Sequence, residues 1–125
     1  MNTYIAIAFG GALGAMSRFW IQTALQRFNG NSFPLGTFAV NVLGSFLIGV
    51  FFVVLVEKTQ LSESWRPLIV VGFLGAMTTF STFSLDALLL FEQGHYNTAL
   101  FYIVSSVALC LFAAFGGMQV TRVML

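Results

Sequence analysis

Four long apolar stretches run along the chain, separated by short polar connections. The first extends from about Tyr4 to Leu25 and stops where Gln26, Arg27, Asn29, Gly30 and Asn31 supply polar and turn-forming residues ahead of Pro34. The second starts near Gly36 and continues to Val56. Glu57, Lys58, Gln60, Ser62, Glu63 and Arg66 then make the most polar connection, with Ser64 placed to cap a helix and Pro67 suited to its first turn. The third stretch runs from Pro67 to about Phe91, and the fourth follows the linker Glu92-Gln93-Gly94-His95-Tyr96-Asn97, from Thr98 to roughly Val120. Each is close to the 20 or so residues that a helix needs to cross hydrocarbon. The pattern predicts an all-α integral membrane protein, a single four-span domain over residues 1–125 with spans at about 4–25, 36–56, 67–91 and 98–120. The apolar start has no basic region before it and runs on past Arg18, so it reads as a retained span rather than a signal peptide.

Small and polar residues recur at helical spacing within the spans. Gly10, Gly14 and Arg18 fall four apart with Gly11 and Ala15 beside them; Asn41, Ser45 and Gly49 do the same beside Gly44; Tyr102, Ser106, Cys110 and Ala114 align in the fourth span. Such stripes let helix backbones approach closely where no hydrophobic force drives association. The third span carries a different signal. Gly72 and Gly75 weaken helix, and Thr78-Thr79-Phe80-Ser81-Thr82-Phe83-Ser84 offers hydroxyls that compete for backbone hydrogen bonds. Two readings stay open: a break that frees carbonyls able to hold a small cation, or an unbroken helix whose hydroxyls bond back to the preceding turn.

Composition removes whole classes of function. The chain has 125 residues, 58% hydrophobic and 7% charged, which leaves almost nothing for a soluble domain. One cysteine, Cys110, excludes an intramolecular disulfide and reads as a small buried hydrophobe. A net charge of +1 without a basic cluster argues against nucleic acid. No acid pair, metal-ligand cluster or phosphate loop suggests an enzyme. Lys58, Arg66 and Arg122 would lie on one side of the membrane and Arg27, with Arg18, on the other. So small a bias suits a chain that inserts both ways and pairs as an antiparallel dimer about a two-fold axis in the membrane plane.

The polar side chains inside the spans are the candidate chemistry. Asn41 carries an amide that is costly in hydrocarbon unless it bonds, either to another helix or to an anion through its NH₂. Phe80 and Phe83, three apart, would point the same way on a helix, and their ring edges are partially positive, so they can replace an anion's water without a full cation in the path. Lipid-facing or core packing is the plainer reading of both rings. Arg18 can snorkel to interfacial water or draw anions into a vestibule. Asp86, the one carboxylate inside a span, is either a functional acid or a hydrated group near an interface. Tyr102 and Ser106, one turn apart, extend a polar track or bond neighbouring helices, and His95 reads as solvated.

Gly36-Thr37 with Val40-Asn41, and Gly72-Phe73-Leu74-Gly75 leading into the Thr78–Ser84 run, resemble the Fluc/CrcB fluoride channels over the whole length of the chain. The resemblance implies a dual-topology antiparallel homodimer with two narrow pores that passively exports fluoride across the bacterial inner membrane. It implies Asn41, Phe80, Phe83, Tyr102 and Ser106 along the fluoride path, with Thr79, Ser81 and Thr82 as pore hydroxyls. It also implies a central structural sodium ion (Na+) held by the carbonyls of Gly75 and Thr78 from both subunits. Two positions depart from the family pattern: Ala76, where a second glycine is common, and Asp86, where a glutamate is common. The rival of another class is a proton-coupled small multidrug exporter, which needs a membrane-embedded acid that the first span lacks.

Overall fold

A computed structural model describes residues 2–30 and 32–125; Asn31, placed above in the first turn, lies outside the described residues. Helix α1 covers Thr3–Asn29 and is capped by Asn2, whose side chain accepts from the Tyr4 N–H at 2.8 Å. It runs past Leu25 because Gln26 and Arg27 are good helix formers, and ends at Gly30, whose φ of 67° a side chain would strain. Helix α2 covers Leu35–Phe52 and widens over Val53–Glu57 into a π-type turn, in which the Lys58 N–H reaches the Val53 carbonyl at 2.8 Å.

The polar connection then forms a 3-10 turn, Glu63–Trp65. Its cap is Ser62 rather than the expected Ser64, because Ser62 Oγ accepts from both the backbone and the hydroxyl of Ser64. The third hydrophobic segment begins π-wound over Pro67–Leu74, continues as α3, Gly75–Met77, and resumes as α4, Phe80–Glu92. Between α3 and α4, Thr78 (φ −84°, ψ 155°) and Thr79 (φ −152°, ψ 120°) are extended. Gly94, at φ 82°, turns the chain into α5, Tyr96–Met124. Among the described residues four helical segments are long and apolar enough to cross a membrane, Thr3–Asn29, Leu35–Glu57, Glu63–Glu92 and Tyr96–Met124, and there is no strand.

Glycines decide which helices touch. A Cβ on Gly10 would lie 2.1 Å from the Leu68 carbonyl oxygen and one on Gly14 2.1 Å from that of Phe73, so α1 lies directly against the π-wound segment. Gly49 meets the Ala114 carbonyl at 2.1 Å and Gly117 that of Phe46 at 2.2 Å, which seats α2 on α5. In the first pair the contacts rise together, Gly10 with Leu68 and Gly14 with Phe73; in the second, the glycine contacts are followed on both helices by that of Glu57 with Arg122, so each pair runs parallel. Where chain direction alternates from span to span, first packs with third and second with fourth. Glu57 and Arg122 form an ion pair, Nε to Oε2 at 2.9 Å, that ties the last turns of the second pair together. The tightly buried residues, such as Val40, Met77, Ala99 and Tyr102, lie where these pairs meet.

The glycine seams separate two substitutions in the same helix. Gly14→Val is expected to lower stability by about 1–3 kcal/mol through overpacking against the Phe73 backbone. Gly11→Ala, where an added Cβ meets nothing within 4 Å, should stabilise by roughly 0.5–1 kcal/mol. Denaturant titration of the micelle-solubilised protein, followed by circular dichroism, checks both.

Candidate functional site

The polar run of the third segment is shaped by hydrogen bonds that leave its own helix. In a continuing α-helix the Thr79 N–H would bond the Gly75 carbonyl and the Thr82 N–H that of Thr78. Instead the Thr79 N–H goes to Asn41 Oδ1 at 2.8 Å, and Asn41 Nδ2 returns a bond to the Thr79 carbonyl at 3.0 Å. One carboxamide thus pairs with both groups of one residue, as a neighbouring β-strand would. The Thr82 N–H is taken by Thr79 Oγ1 at 3.1 Å, the N-cap of α4. The Ala76 carbonyl accepts from Arg18 Nε at 3.0 Å. Gly44 makes room for this path, since a Cβ there would lie 2.2 Å from the Thr78 methyl.

Part of the hydroxyl run does bond backwards, as the unbroken-helix reading expected. Thr78 Oγ1 donates to Leu74 O and Ser84 Oγ to Phe80 O, each at 2.9 Å. The Thr79 hydroxyl does something else: it lies 3.2 Å from both Ser81 Oγ and Thr82 Oγ1, joining the three in one cluster at the start of α4.

Two clefts flank this region. The first, of about 400 Å³, is lined by Asn41, Gly75, Thr78, Thr79, Phe80, Phe83 and Ser106, with Gly44, Ser45 and Cys110 among its small residues. Among the described residues no ionised side chain faces it. The Phe80 and Phe83 ring centroids are 5.3 Å apart at 44°. Phe83 is 8% exposed and Phe80 76%, so one ring forms the wall while the other stands at the open side of the cleft. Ser106 Oγ is buried with no hydrogen-bond partner among the described residues.

The second cleft, of about 700 Å³, gathers Gln22, Arg27, Thr37, Thr82, Asp86 and Gln93. Tyr102 lies between the two clefts, fully buried; its ring is 5.1 Å from that of Phe83, and its hydroxyl donates to Asp86 Oδ2 at 3.2 Å.

Most predicted site residues therefore meet. Asn41, Thr78, Thr79, Phe80, Phe83, Ser106 and Gly75 share one cleft, Thr82 and Asp86 open onto the other, and Tyr102 separates them. Ser81 reaches the group through Thr79, and Arg18 lines neither cleft, being turned to the Ala76 carbonyl. Sequence reasoning passed over Gln22, whose Nε2 donates to Thr37 Oγ1 at 3.2 Å. The signal was present: Gln22 and Gln26 continue the four-residue row of Gly10, Gly14 and Arg18.

Four membrane-length helices, with their uncharged polar groups gathered where the third is interrupted, define a multi-pass helical membrane protein built around a neutral polar cleft. Residues 5–118 match the family model described as CrcB-like protein, Camphor Resistance (CrcB). Relatives called Fluoride-specific ion channel FluC include one from Hahella chejuensis, 51% identical over 121 residues, covering 97% of this chain and 95% of that one. Another, from Saccharophagus degradans, is 49% identical over 115 residues, 88% of this chain and 82% of its own. A third, from Magnetococcus marinus, is 45% identical over 116 residues, 93% and 94% of the two chains. The chain belongs to the CrcB-like family.

The Asn41 clamp is testable without any ligand. Asn41→Ala leaves both polar groups of Thr79 without their partner, and should destabilise the folded protein by about 1–3 kcal/mol and speed amide exchange at Thr79. Hydrogen exchange followed by mass spectrometry checks it, with α5 as the internal reference.

Proposed function

We propose that this chain is a passive fluoride-selective channel that lets fluoride leave the cytoplasm through a bacterial inner membrane. The observation that carries this reading is the first cleft: aromatic rings, an amide, hydroxyls and an unpartnered buried Ser106 hydroxyl, with no ionised group. A conducted ion must be held well enough to enter and loosely enough to leave. A full cation at the site would trap a small, strongly hydrated anion, whereas ring edges and neutral donors replace its water at moderate strength. The relatives named as fluoride-specific channels support the same reading, and nothing among them supports the proton-coupled drug exporter. Passive conduction needs no catalytic group.

On this reading Phe80 and Phe83 present their edges to the ion, and Asn41 offers the amide hydrogen not spent on Thr79. Ser106 donates its free hydroxyl, and Thr79, Ser81 and Thr82 continue the path toward Tyr102. The interruption between α3 and α4 is then functional. The N–H groups at the start of α4 have no helical acceptors, and a helix start is a favourable place for negative charge.

The working unit is an antiparallel homodimer of two oppositely inserted copies. The exposure of Phe80 supports it, because a ring lining an ion path must be covered on its outer side. A structural sodium ion also fits the residues present. Gly75 and Thr78 have lost the helical donors to their carbonyls, which go to Asn41 and to Thr79 Oγ1, and neutral carbonyl oxygens are the donor type that a small hard cation takes. When bound, such an ion supplies a fixed positive charge and cross-links the copies. Holding the interruption open is the work of this chain's own Asn41 and Thr79.

Reconstituted protein should release fluoride from loaded liposomes far faster than chloride, read by ion-selective electrodes; equal leak of both anions, or none, would overturn the proposal. Phe80→Ile and Phe83→Ile are each expected to slow efflux by about tenfold or more, the equivalent of roughly 1.4 kcal/mol in the barrier, with the helical content unchanged. Asn41→Asp places like charge beside a low-dielectric path and should abolish fluoride efflux in the same assay.

A further inference from the structure

The reading above leaves Arg18 without a part, and the geometry gives it one. Arg18 follows Gly14 by one helical turn on α1, and Gly14 is where α1 rests on the Phe73 backbone. From there the side chain reaches along the third segment, and its Nε, not its outer N–H groups, donates to Ala76 O at 3.0 Å. That carbonyl stands in the last turn before the extended residues Thr78 and Thr79. Carbonyls at a helix end have no intrahelical donor, so a side-chain N–H is a well-matched partner. Three residues along the third segment, Asn41 grips Thr79 from α2. The outer N–H groups of Arg18 make no other hydrogen bond among the described residues.

We infer that Arg18 is a positioning residue: its Nε–H takes the place of the missing backbone donor at Ala76 and, with Asn41 opposite, holds the non-helical turn that sets where Phe80 and Thr79 stand. The turn is pinned from two helices that belong to different packed pairs. α1 holds its entry through Arg18, α2 holds its exit through Asn41, and the intervening Met77 is buried between them. Losing either hold lets the turn between α3 and α4 rewind, because Gly75 at the start of α3 has only ordinary contact, with Val70 O 3.6 Å from where its Cβ would stand. The role depends on a donor at the Nε position and not on the charge beyond it. The inference takes the third segment as the site but does not depend on which ion passes.

Three substitutions separate donor from charge. Arg18→Gln sets an N–H the same number of bonds from Cα as Nε and removes the charge. Arg18→Met keeps a chain of that length with no donor. Arg18→Lys keeps the charge and moves the donor one bond outward. The readout is amide exchange at Thr79 and Thr82 in the purified full-length protein, referred to α5. Arg18→Met is expected to exchange there on the order of tenfold faster than the unsubstituted protein, and Arg18→Gln to stay within about threefold of it. Wild-type exchange in Arg18→Met, or unprotected amides in Arg18→Gln, would overturn the inference. If Arg18→Met does not fold, Arg18→Gln decides alone, protected amides supporting the role and unprotected ones refuting it. Fluoride efflux from the unsubstituted protein is recorded separately, so a failed channel reading leaves the exchange result standing.

Discussion

A single carboxamide sets the character of this protein. Asn41 accepts from the Thr79 N–H and donates to the Thr79 carbonyl, and so satisfies, at the depth of an apolar bundle, a residue that its own helix has abandoned. Unsatisfied backbone groups in hydrocarbon cost several kcal/mol each (roughly, in an environment with no competing water). An interruption there survives only where another element supplies the partner. The extended backbone at Thr78 and Thr79, the hydroxyl cluster at the start of α4 and the placing of Phe80 beside Phe83 all follow from that pairing.

The pairing in turn requires close helices. Small residues do this by letting backbone meet backbone, and the parallel couples of first with third and second with fourth helix are both built on glycine facing a carbonyl. The π-wound stretch Pro67–Leu74 belongs to the same arrangement, since its wider turns carry the carbonyls that α1 glycines approach. Tight seams on two sides leave the residual space in the middle, where a neutral cleft opens onto Asn41 and the rings and a second polar cleft opens beyond Tyr102. The chain thereby gathers uncharged polar groups at the first cleft, which among the described residues no ionised side chain lines.

Much of this was readable residue by residue. The four spans follow from length and hydropathy, the close-packing faces from glycines four apart, and the unusual third span from hydroxyls crowded after Gly72 and Gly75. Boundaries were less legible. α1 continues through Gln26 and Arg27 because polarity does not end a helix, whereas the positive φ of Gly30 does. Ser62 took the capping role expected of Ser64 because the preference for serine at a cap is shared by neighbours two apart, and only the path of the chain chooses between them. The choice between a broken and an intact third span stayed open for the same reason: Thr78 and Ser84 bond backwards as in a helix, while Thr79 caps a new one.

What the chain alone determined is whatever depends on composition and local spacing: insertion in a membrane, the number of spans, the glycine faces and the likeness to the CrcB-like family. Only the tertiary structure decided partners. Asn41 meets Thr79 across 38 residues and Arg18 meets Ala76 across 58, and neither pairing is implied by any spacing along one helix. Each is fixed by how far neighbouring helices are rotated and slid against one another, a quantity summed over every contact in the bundle and written in no single segment.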